Sequence, residues 1–295
     1  MRFLNSLFYY GFLIPISYLP YPVLYFLSDG LYVVIYKMIG YRKKVVIKNI
    51  SNSFPERSAE EHQQIEREFY RHLCDLVVES LKVFTISEKE VQKRMRILNP
   101  EYIDRFYNQG QSVILAGGHY NNWELFAVAI DAPLKHKAVA IYKPLSNAFF
   151  DKKMRDTRSR YGLKMISTKA TKEEFEKKDN LRVIIFGIDQ FPSNHKNCYW
   201  SNFLNQDTAM IFGAEKYAKE YNYPVLSGRI NKVKRGYYTF EFTDAIETPR
   251  STGYGEIIER INHLLEKDIV ARPPYWLWSH KRWKLPRPVE QEQVS

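Results

Sequence analysis

Cysteine is scarce in this sequence of 295 residues, and the short motifs of several common protein classes do not occur in it. Only Cys74 and Cys198 are present, without a Cys-x-x-Cys or a Cys/His cluster, so neither a zinc site nor a disulfide framework is expected. Both thiols are expected to be reduced and to face a cytosolic compartment. The sequence has no Walker-type phosphate loop and no G-x-G-x-x-G, so it gives no support to nucleotide chemistry. We expect no metal and no resident cofactor.

Acidic residues are outnumbered by basic ones, 33 Asp and Glu against 44 Lys and Arg, which gives a net charge of +11. Part of this excess is concentrated in residues 135–182, which include 14 basic and 6 acidic residues. Such a surplus favours an anionic partner, which can be nucleic acid, anionic lipid or an acidic protein. Aromatic residues make up 15% of the chain, which suits a protein at a boundary between water and lipid.

Charge is missing altogether from residues 3–28, a stretch long enough to cross a bilayer. Three prolines interrupt it, a second apolar run follows at residues 31–40, and basic residues come directly afterwards. A single membrane span, a broken or re-entrant hairpin in one leaflet and an apolar helical subdomain of a soluble protein all fit this pattern. A cleaved signal peptide fits it less well. We predict a hydrophobic membrane anchor over residues 1–44 and a separate domain over residues 45–295, with the basic flank on the cytoplasmic side.

Beyond the anchor, the hydrophobic pattern alternates between strands and helices. A long amphipathic helix is predicted from a capping box at Ser58 and Glu61. The predicted strands are residues 112–117, 137–142, 181–188, 224–230 and 237–243, and the predicted helices between and after them are residues 121–131, 146–161, 171–178, 208–221 and 254–268. This alternation predicts an α/β fold with a mixed, mostly parallel sheet covered by helices, in which the last strand pair can be antiparallel.

The stretch "LAGGHYNNWE" (residues 115–124) is the strongest candidate for chemistry. His119 follows a buried strand, and sites in α/β sheets usually lie at the carboxyl ends of strands. Glu124 lies in the first turn of the next helix, from which its carboxylate can reach one imidazole nitrogen and leave the other as a base. On spacing alone, a capped junction between a strand and a helix explains the same residues.

Several stretches occur in the order found in one known family. They are the aromatic N-terminus, "RKKVVIKNISNSFPERSAEE", "GGHYNNWE", "YKPLSNAFFDKKMRDTRSRYG", "IIFGIDQFPS" and "WLWSHKRWK". Together they resemble the bacterial late acyltransferases of lipid A biosynthesis, in the lysophospholipid acyltransferase superfamily. The resemblance covers nearly the whole chain. It departs from the family at "NFLNQDTA", which replaces a Phe-Phe-Gly-like turn near the expected acyl pocket.

The resemblance implies roles for individual residues. His119 would be the general base that activates a hydroxyl acceptor, and Glu124 the acid that orients it. The implied substrate-binding residues are Asn122, Lys143, Asn147, Arg158, Arg160, Asp189 and Gln190. Arginine suits such a task because its guanidinium group binds phosphate or carboxylate through two hydrogen bonds. In the C-terminal stretch, Trp276, Trp278 and Trp283 lie among basic residues, which fits either a membrane interface or a tryptophan cluster in the core. We expect His280 to be structural.

The function implied by the resemblance is transfer of a fatty acyl chain from an acyl carrier protein or coenzyme A thioester to a hydroxyl or amine of a lipid A precursor or related glycolipid. The expected location is the cytoplasmic face of the bacterial inner membrane, and no nucleic acid partner is expected. Acylation of a lysophospholipid or aminolipid is the alternative within the same class. A non-enzymatic, membrane-anchored basic module is the alternative outside it, since charge and aromatic content alone allow one.

Overall fold

The computed structural model describes residues 2–192 and 198–287. Ser193, the last residue of the stretch "IIFGIDQFPS", lies outside the described residues, as do the final residues of the predicted second domain. Nine strands are found in this part of the chain: β1 (Met95–Ile97), β2 (Val113–Gly117), β3 (Lys137–Tyr142), β4 (Lys164–Ser167), β5 (Arg182–Gly187), β6 (Tyr199–Phe203), β7 (Gln206–Met210), β8 (Val225–Lys234) and β9 (Tyr237–Ile246).

The helices surround these strands in the alternation that the hydrophobic pattern predicts. They are α1 (Arg2–Phe8), α2 (Ile14–Tyr18), α3 (Tyr21–Tyr32), α4 (Lys43–Ser53), α5 (Ala59–Lys82), α6 (Glu88–Arg94), α7 (Glu101–Asn108), α8 (Trp123–Ala129), α9 (Ala148–Arg158), α10 (Thr171–Glu176), α11 (Gly213–Tyr221) and α12 (Glu256–Ala271). Two π-helical segments, Tyr9–Leu13 and Val33–Met38, extend the N-terminal helices.

Seven strands form one mixed sheet in the order β1-β9-β8-β2-β5-β3-β4. All neighbours are parallel except β8 and β9, which are antiparallel. Hydrophobic side chains cover both faces, because alternate residues of a strand point to opposite sides. In β2, Ile114 lies in the same cluster as α12, whereas Leu115 lies in the cluster that contains α8. The predicted α/β architecture with a mostly parallel sheet is therefore confirmed.

Most predicted elements are present, and the differences have local causes. The five predicted strands correspond to β2, β3, β5, β8 and β9, and the capping box forms, with the Ser58 hydroxyl accepting from the Glu61 amide at 3.2 Å. The predicted helix at 208–221 begins too early, since α11 starts at Gly213. The preceding residues form the β6–β7 hairpin, in which Leu204 and Asn205 adopt the left-handed conformation (φ 51° and 59°) that a two-residue hairpin turn requires.

The N-terminal helices pack against the rest of the protein on one side and expose apolar side chains on the other. Leu24 and Tyr36 are buried, whereas Phe3, Phe26 and Met38 are each at least three-quarters exposed. Among the described residues, no single helix is long and apolar enough to cross a membrane. The consecutive segments Phe3–Tyr18 and Tyr21–Met38 meet the criteria of length and composition only together, and the chain bends by 118° between them.

Candidate active site

A sharp turn after β2 places His119 at the carboxyl end of the sheet. Gly118 lies so close to α12 that an added Cβ would come within 2.5 Å of Leu265 Cδ2, and within 3.1 Å of an Asp189 oxygen. Glycine therefore allows the helix and the turn to approach each other. The turn continues through Asn121, which adopts a left-handed conformation with φ 56°, and it ends where Asn122 caps α8.

Strand register brings Asp189 to His119. The last residues of the parallel neighbours β2 and β5, Gly117 and Gly187, lie opposite each other, and His119 and Asp189 each follow two residues later. Nδ1 of His119 lies 2.6 Å from Oδ1 of Asp189, and the backbone N–H of His119 donates to Oδ2 at 2.8 Å. The indole N–H of Trp276 donates to the same Oδ2 at 2.9 Å. The Asp189 carboxylate is thus fixed by three donors.

These contacts set the protonation of the pair. Burial opposes ionisation of Asp189, but the His119 side chain and the hydrogen bonds from His119 and Trp276 outweigh burial and lower the pKa of Asp189 to about 2. Burial also opposes protonation of His119, but the attraction and hydrogen bond of Asp189 outweigh it and raise the pKa of the imidazole. Because a carboxylate only accepts hydrogen bonds, Nδ1 carries the proton in the neutral imidazole and Nε2 keeps its lone pair.

Nε2 of His119 faces a large cavity of about 1020 Å³. The side-chain nitrogen of Gln190 lies 3.4 Å from it, and the His119 side chain is one-quarter exposed. Much of the wall is apolar and comes from both faces of the sheet. Representative lining residues are Phe126, Met165, Phe240 and Leu265. The site therefore combines an accessible imidazole nitrogen with a space that suits an apolar chain.

Comparison with known proteins decides the family of the chain. The sequence profile of the family described as bacterial lipid A biosynthesis acyltransferase matches residues 2–285. The chain belongs to this family.

The similarity to individual relatives is distant but covers nearly all of each chain. The chain is 24% identical over 294 residues to the lipid A biosynthesis palmitoleoyltransferase of Escherichia coli (strain K12), a match that covers 94% of this chain and 89% of that protein. It is 24% identical over 277 residues to the lipid A biosynthesis acyltransferase of Haemophilus influenzae, covering 92% and 88% of the two chains. It is 21% identical over 274 residues to the lipid A biosynthesis lauroyltransferase of E. coli, covering 90% and 87%.

These matches confirm the family resemblance seen in the sequence motifs, and they identify the chain as an acyltransferase rather than a non-enzymatic basic module.

In this acyltransferase, Glu124 does not contact His119 as the sequence predicts. Its carboxylate instead accepts two hydrogen bonds from Arg158, at 2.9 Å from Nε and 2.5 Å from Nη2. The acid that contacts the imidazole is Asp189, so the expected contact between Glu124 and His119 is corrected. The physical reason is that α9 carries a guanidinium group to Glu124, and the two-pronged geometry satisfies both carboxylate oxygens. Glu124 still adds a weaker electrostatic contribution to the raised pKa of His119.

The predicted substrate-binding residues separate into two groups. Lys143, Arg158 and Gln190 line the cavity. The remaining ones lie outside its wall. Asn147 caps α9 by accepting from the Phe149 amide at 3.1 Å, and Arg160 donates to the carbonyl oxygens of Phe84 and Ile86.

Asn122 and Asp189 are buried, and their side-chain polar atoms already have hydrogen-bond partners within the protein. The amide oxygen of Asn122 accepts from the Leu125 N–H at 2.8 Å, and its nitrogen donates to Glu79 at 2.6 Å. Asn122 therefore has no surface to offer a substrate, which corrects its predicted role. Asp189 is likewise directed at His119 rather than at the cavity.

The C-terminal aromatic stretch contacts the His119–Asp189 pair through Trp276. Trp276 and Trp278 are almost fully buried, so for these two the core interpretation holds rather than the membrane-interface one. His280 accepts a hydrogen bond from the Phe191 N–H at 3.2 Å, and burial lowers the pKa of His280 to about 4, so this imidazole is neutral near pH 7. The spacing of the tryptophans gave no signal that Trp276 would bond to the active-site carboxylate. Within residues 2–192 and 198–287, no group of three or more His, Cys, Asp or Glu side chains is arranged to hold a metal ion.

Proposed function

We propose that this acyltransferase moves a fatty acyl chain from a thioester of acyl carrier protein or coenzyme A to a hydroxyl or amine of a lipid A precursor or related glycolipid. The observation that carries the proposal is the His119–Asp189 pair, whose imidazole lines a cavity with largely apolar walls, in a chain of this family. The acyl groups named for two relatives, palmitoleoyl and lauroyl, give the first donors to test.

His119 acts as the general base in the proposed mechanism. Nε2 takes the proton of the acceptor hydroxyl as its oxygen attacks the thioester carbonyl carbon. Asp189 holds the imidazole in the required tautomer and stabilises the imidazolium that forms. The tetrahedral intermediate then collapses, the carbon–sulfur bond breaks, and the leaving thiolate takes the proton from Nε2. The acyl chain ends on the acceptor oxygen and the carrier leaves as a free thiol.

The apolar part of the cavity supports an acyl chain as the transferred group. Each methylene that leaves water contributes about 0.8 kcal/mol to binding, so a long chain is held mainly by burial. The charged part of the wall supports an anionic acceptor or carrier. Lys143 and Arg158 both line the cavity, Arg158 being paired with Glu124, and the segment 135–182 to which they belong has 14 basic and 6 acidic residues.

The exposed apolar face of the N-terminal helices supports attachment to a membrane, where a lipid acceptor is found. Its residues include Phe3, Phe12, Phe26 and Met38, all more than half exposed. An apolar face this large is unusual on a protein that meets only water. We place the chain on the cytoplasmic face of the bacterial inner membrane, where acyl carrier protein is accessible.

The test is acyl transfer by the purified full chain in detergent, with palmitoleoyl or lauroyl acyl carrier protein and either a lipid A precursor or total membrane lipid. Mass spectrometry of the lipid product gives the acyl group and the acceptor together. We expect His119→Ala to abolish product formation while the protein stays folded. The matched control is His263→Ala, which removes an exposed histidine of α12 that does not line the cavity.

Two results would overturn parts of this proposal. Product formation by His119→Ala at the wild-type rate would refute the general-base mechanism. A product that is an acylated lysophospholipid or aminolipid, with no acylated lipid A precursor, would replace the proposed acceptor.

A further inference from the structure

Glu79 is a buried acid that the proposed chemistry does not use. It lies on α5, only 4% exposed, and outside the cavity wall. Its carboxylate accepts hydrogen bonds from three side chains: Tyr25 at 2.9 Å, Asn122 at 2.6 Å and Tyr238 at 2.8 Å. These donors belong to α3, the start of α8 and β9. One carboxylate thus joins an N-terminal helix, the segment after β2 and the sheet.

Burying the Glu79 carboxylate costs free energy, which suggests that the residue has a specific role. A carboxylate out of water is disfavoured, and burial raises the pKa of Glu79, although the hydrogen bonds from Tyr238 and Tyr25 oppose that change. A leucine of similar size would remove the cost of the buried carboxylate, but it would leave three buried donors without an acceptor. What a leucine cannot do is hold the amide of Asn122.

Asn122 connects Glu79 to the active-site segment. It lies between His119 and Glu124, and its amide has one orientation only: the oxygen accepts from the Leu125 N–H and caps α8, so the nitrogen must face Glu79. The neighbouring Asn121 is fixed as well, with its side chain donating to the carbonyl oxygen of Ile230 at 2.7 Å.

We propose that Glu79 is a positioning residue of the acyltransferase: by holding Asn122 it fixes the segment 119–124 that carries His119 and Glu124, and by accepting from Tyr25 it joins this segment to the N-terminal helices. The inference rests on the proposed function, since it assigns Glu79 a part in that reaction. Displacement of a reacting group by about 1 Å is enough to lower a rate by about 10²-fold, so loss of this support is expected to appear in kcat.

The chain contains a matched control one helical turn away. Asp75 also lies on α5, is 5% exposed, and is also bonded to α3 and to the β8–β9 pair. It accepts from the Ser28 hydroxyl at 2.8 Å and from Arg235 at 3.0 Å. Its hydrogen-bond partners do not include the segment 119–124. Asp75 therefore reproduces the burial of Glu79 and its links to α3 and the β8–β9 pair, here through an ion pair with Arg235, without the contact that the proposal depends on.

The experiment measures kcat and KM for acyl transfer with the full chain in detergent, for wild type, Glu79→Leu, Glu79→Gln, Asn122→Ser and Asp75→Leu. Glu79→Leu is expected to lower kcat by about 10²-fold with KM little changed. Glu79→Gln is expected to restore most of kcat, because its oxygen can accept from Asn122 and Tyr238 while its nitrogen donates to the Tyr25 hydroxyl. Asp75→Leu is expected to lower the thermal midpoint but to leave kcat near the wild-type value.

Asn122→Ser keeps the proposal testable if Glu79→Leu does not fold. Serine still caps α8 but lacks the amide that reaches Glu79, so it is expected to lower kcat as Glu79→Leu does. The double variant Glu79→Leu/Asn122→Ser, measured in the same way, is expected to lose no more kcat than either single variant, because both substitutions remove the same link.

The outcomes separate the inference from the proposed function. Absence of acyl transfer by wild type would overturn the proposed function and the inference with it. If wild type is active but Asp75→Leu loses as much kcat as Glu79→Leu, or the losses of Glu79→Leu and Asn122→Ser multiply, the positioning role is refuted and the function stands.

Discussion

The Asp189→Asn substitution tests the reassignment of the orienting acid most directly. The carboxylate accepts from three donors: the backbone N–H and the Nδ1–H of His119, and the indole N–H of Trp276. Asparagine has one oxygen in place of two. If that oxygen takes the position of Oδ2, it keeps two hydrogen bonds, and the amide nitrogen then faces Nδ1. The opposite orientation would point the amide nitrogen at two donors, so the first is favoured.

The favoured orientation forces the wrong tautomer on the base. Nδ1 must then accept a hydrogen bond, so the proton of the neutral imidazole moves to Nε2 and the lone pair no longer faces the cavity. The same substitution in Ser-His-Asp triads lowers kcat by about 10⁴-fold through this cause. A loss of that size corresponds to about 5 kcal/mol of transition-state stabilisation. We expect Asp189→Asn to show a comparable loss of kcat.

The assay is the initial rate of acyl transfer at saturating donor and acceptor, with thermal unfolding to confirm that the variant is folded. Nitrogen-15 NMR of the His119 ring reports the tautomer independently of the rate. The comparison is Glu124→Gln, which alters the other acid of the site. A loss of less than about tenfold in folded Asp189→Asn, alongside a much larger loss in Glu124→Gln, would refute the assignment of Asp189 and restore Glu124 as the orienting acid.

Three further predictions concern the surroundings of the pair. Gly118→Ala is expected to destabilise the fold by about 1–3 kcal/mol because its methyl group would come within 2.5 Å of a leucine of α12; the adjacent Gly117→Ala, whose methyl group meets nothing within 4 Å, is the control, and equal thermal midpoints would contradict the prediction. Glu124→Ala and Arg158→Ala are expected to be non-additive by about 0.5–3 kcal/mol in kcat/KM, whereas strict additivity would show that their ion pair has no influence on the reaction. The acid limb of kcat/KM is expected to have its midpoint above about pH 6.5, because the raised pKa of His119 keeps the base protonated, and therefore inactive, to higher pH; a midpoint below 6 would contradict the assignment of the base.

The strands that precede His119 and Asp189 could be predicted from the sequence, but their order in the sheet could not. The apolar runs at 112–117 and 181–188 correspond to β2 and β5, and His119 and Asp189 follow these strands by the same number of residues. Knowledge of the strand order and of the register, which pairs Gly117 with Gly187, would have placed the two side chains together at one edge of the sheet. Order in a parallel sheet depends on how the crossover helices pack, which a single sequence does not specify. Without it, Glu124 was the nearest acid in sequence, and it became the predicted partner.

Composition could not predict the location of residues that two different environments both favour. A membrane interface and a protein core both favour tryptophan, and the basic residues nearby do not distinguish them. Only the fold shows that Trp276 lies in the core and donates to Asp189. Asn122 presented the same difficulty, since the residue types that bind substrates are also those that cap helices. Its buried partner Glu79 is 43 residues away and shares no motif with it.

Two residues of the segment 119–124 are held by helices that also contact the N-terminal helices. Asn122 is held by Glu79 of α5, which accepts from Tyr25 of α3, and Glu124 is held by Arg158 of α9. Helix α9 in turn contacts the N-terminal region through Lys153, whose ammonium group donates to the Tyr10 hydroxyl at 2.6 Å. A shift of the N-terminal helices can therefore reach the active-site segment through two contacts. We expect binding to lipid vesicles to change amide hydrogen exchange within residues 119–124, and unchanged exchange there would show that the two regions are independent.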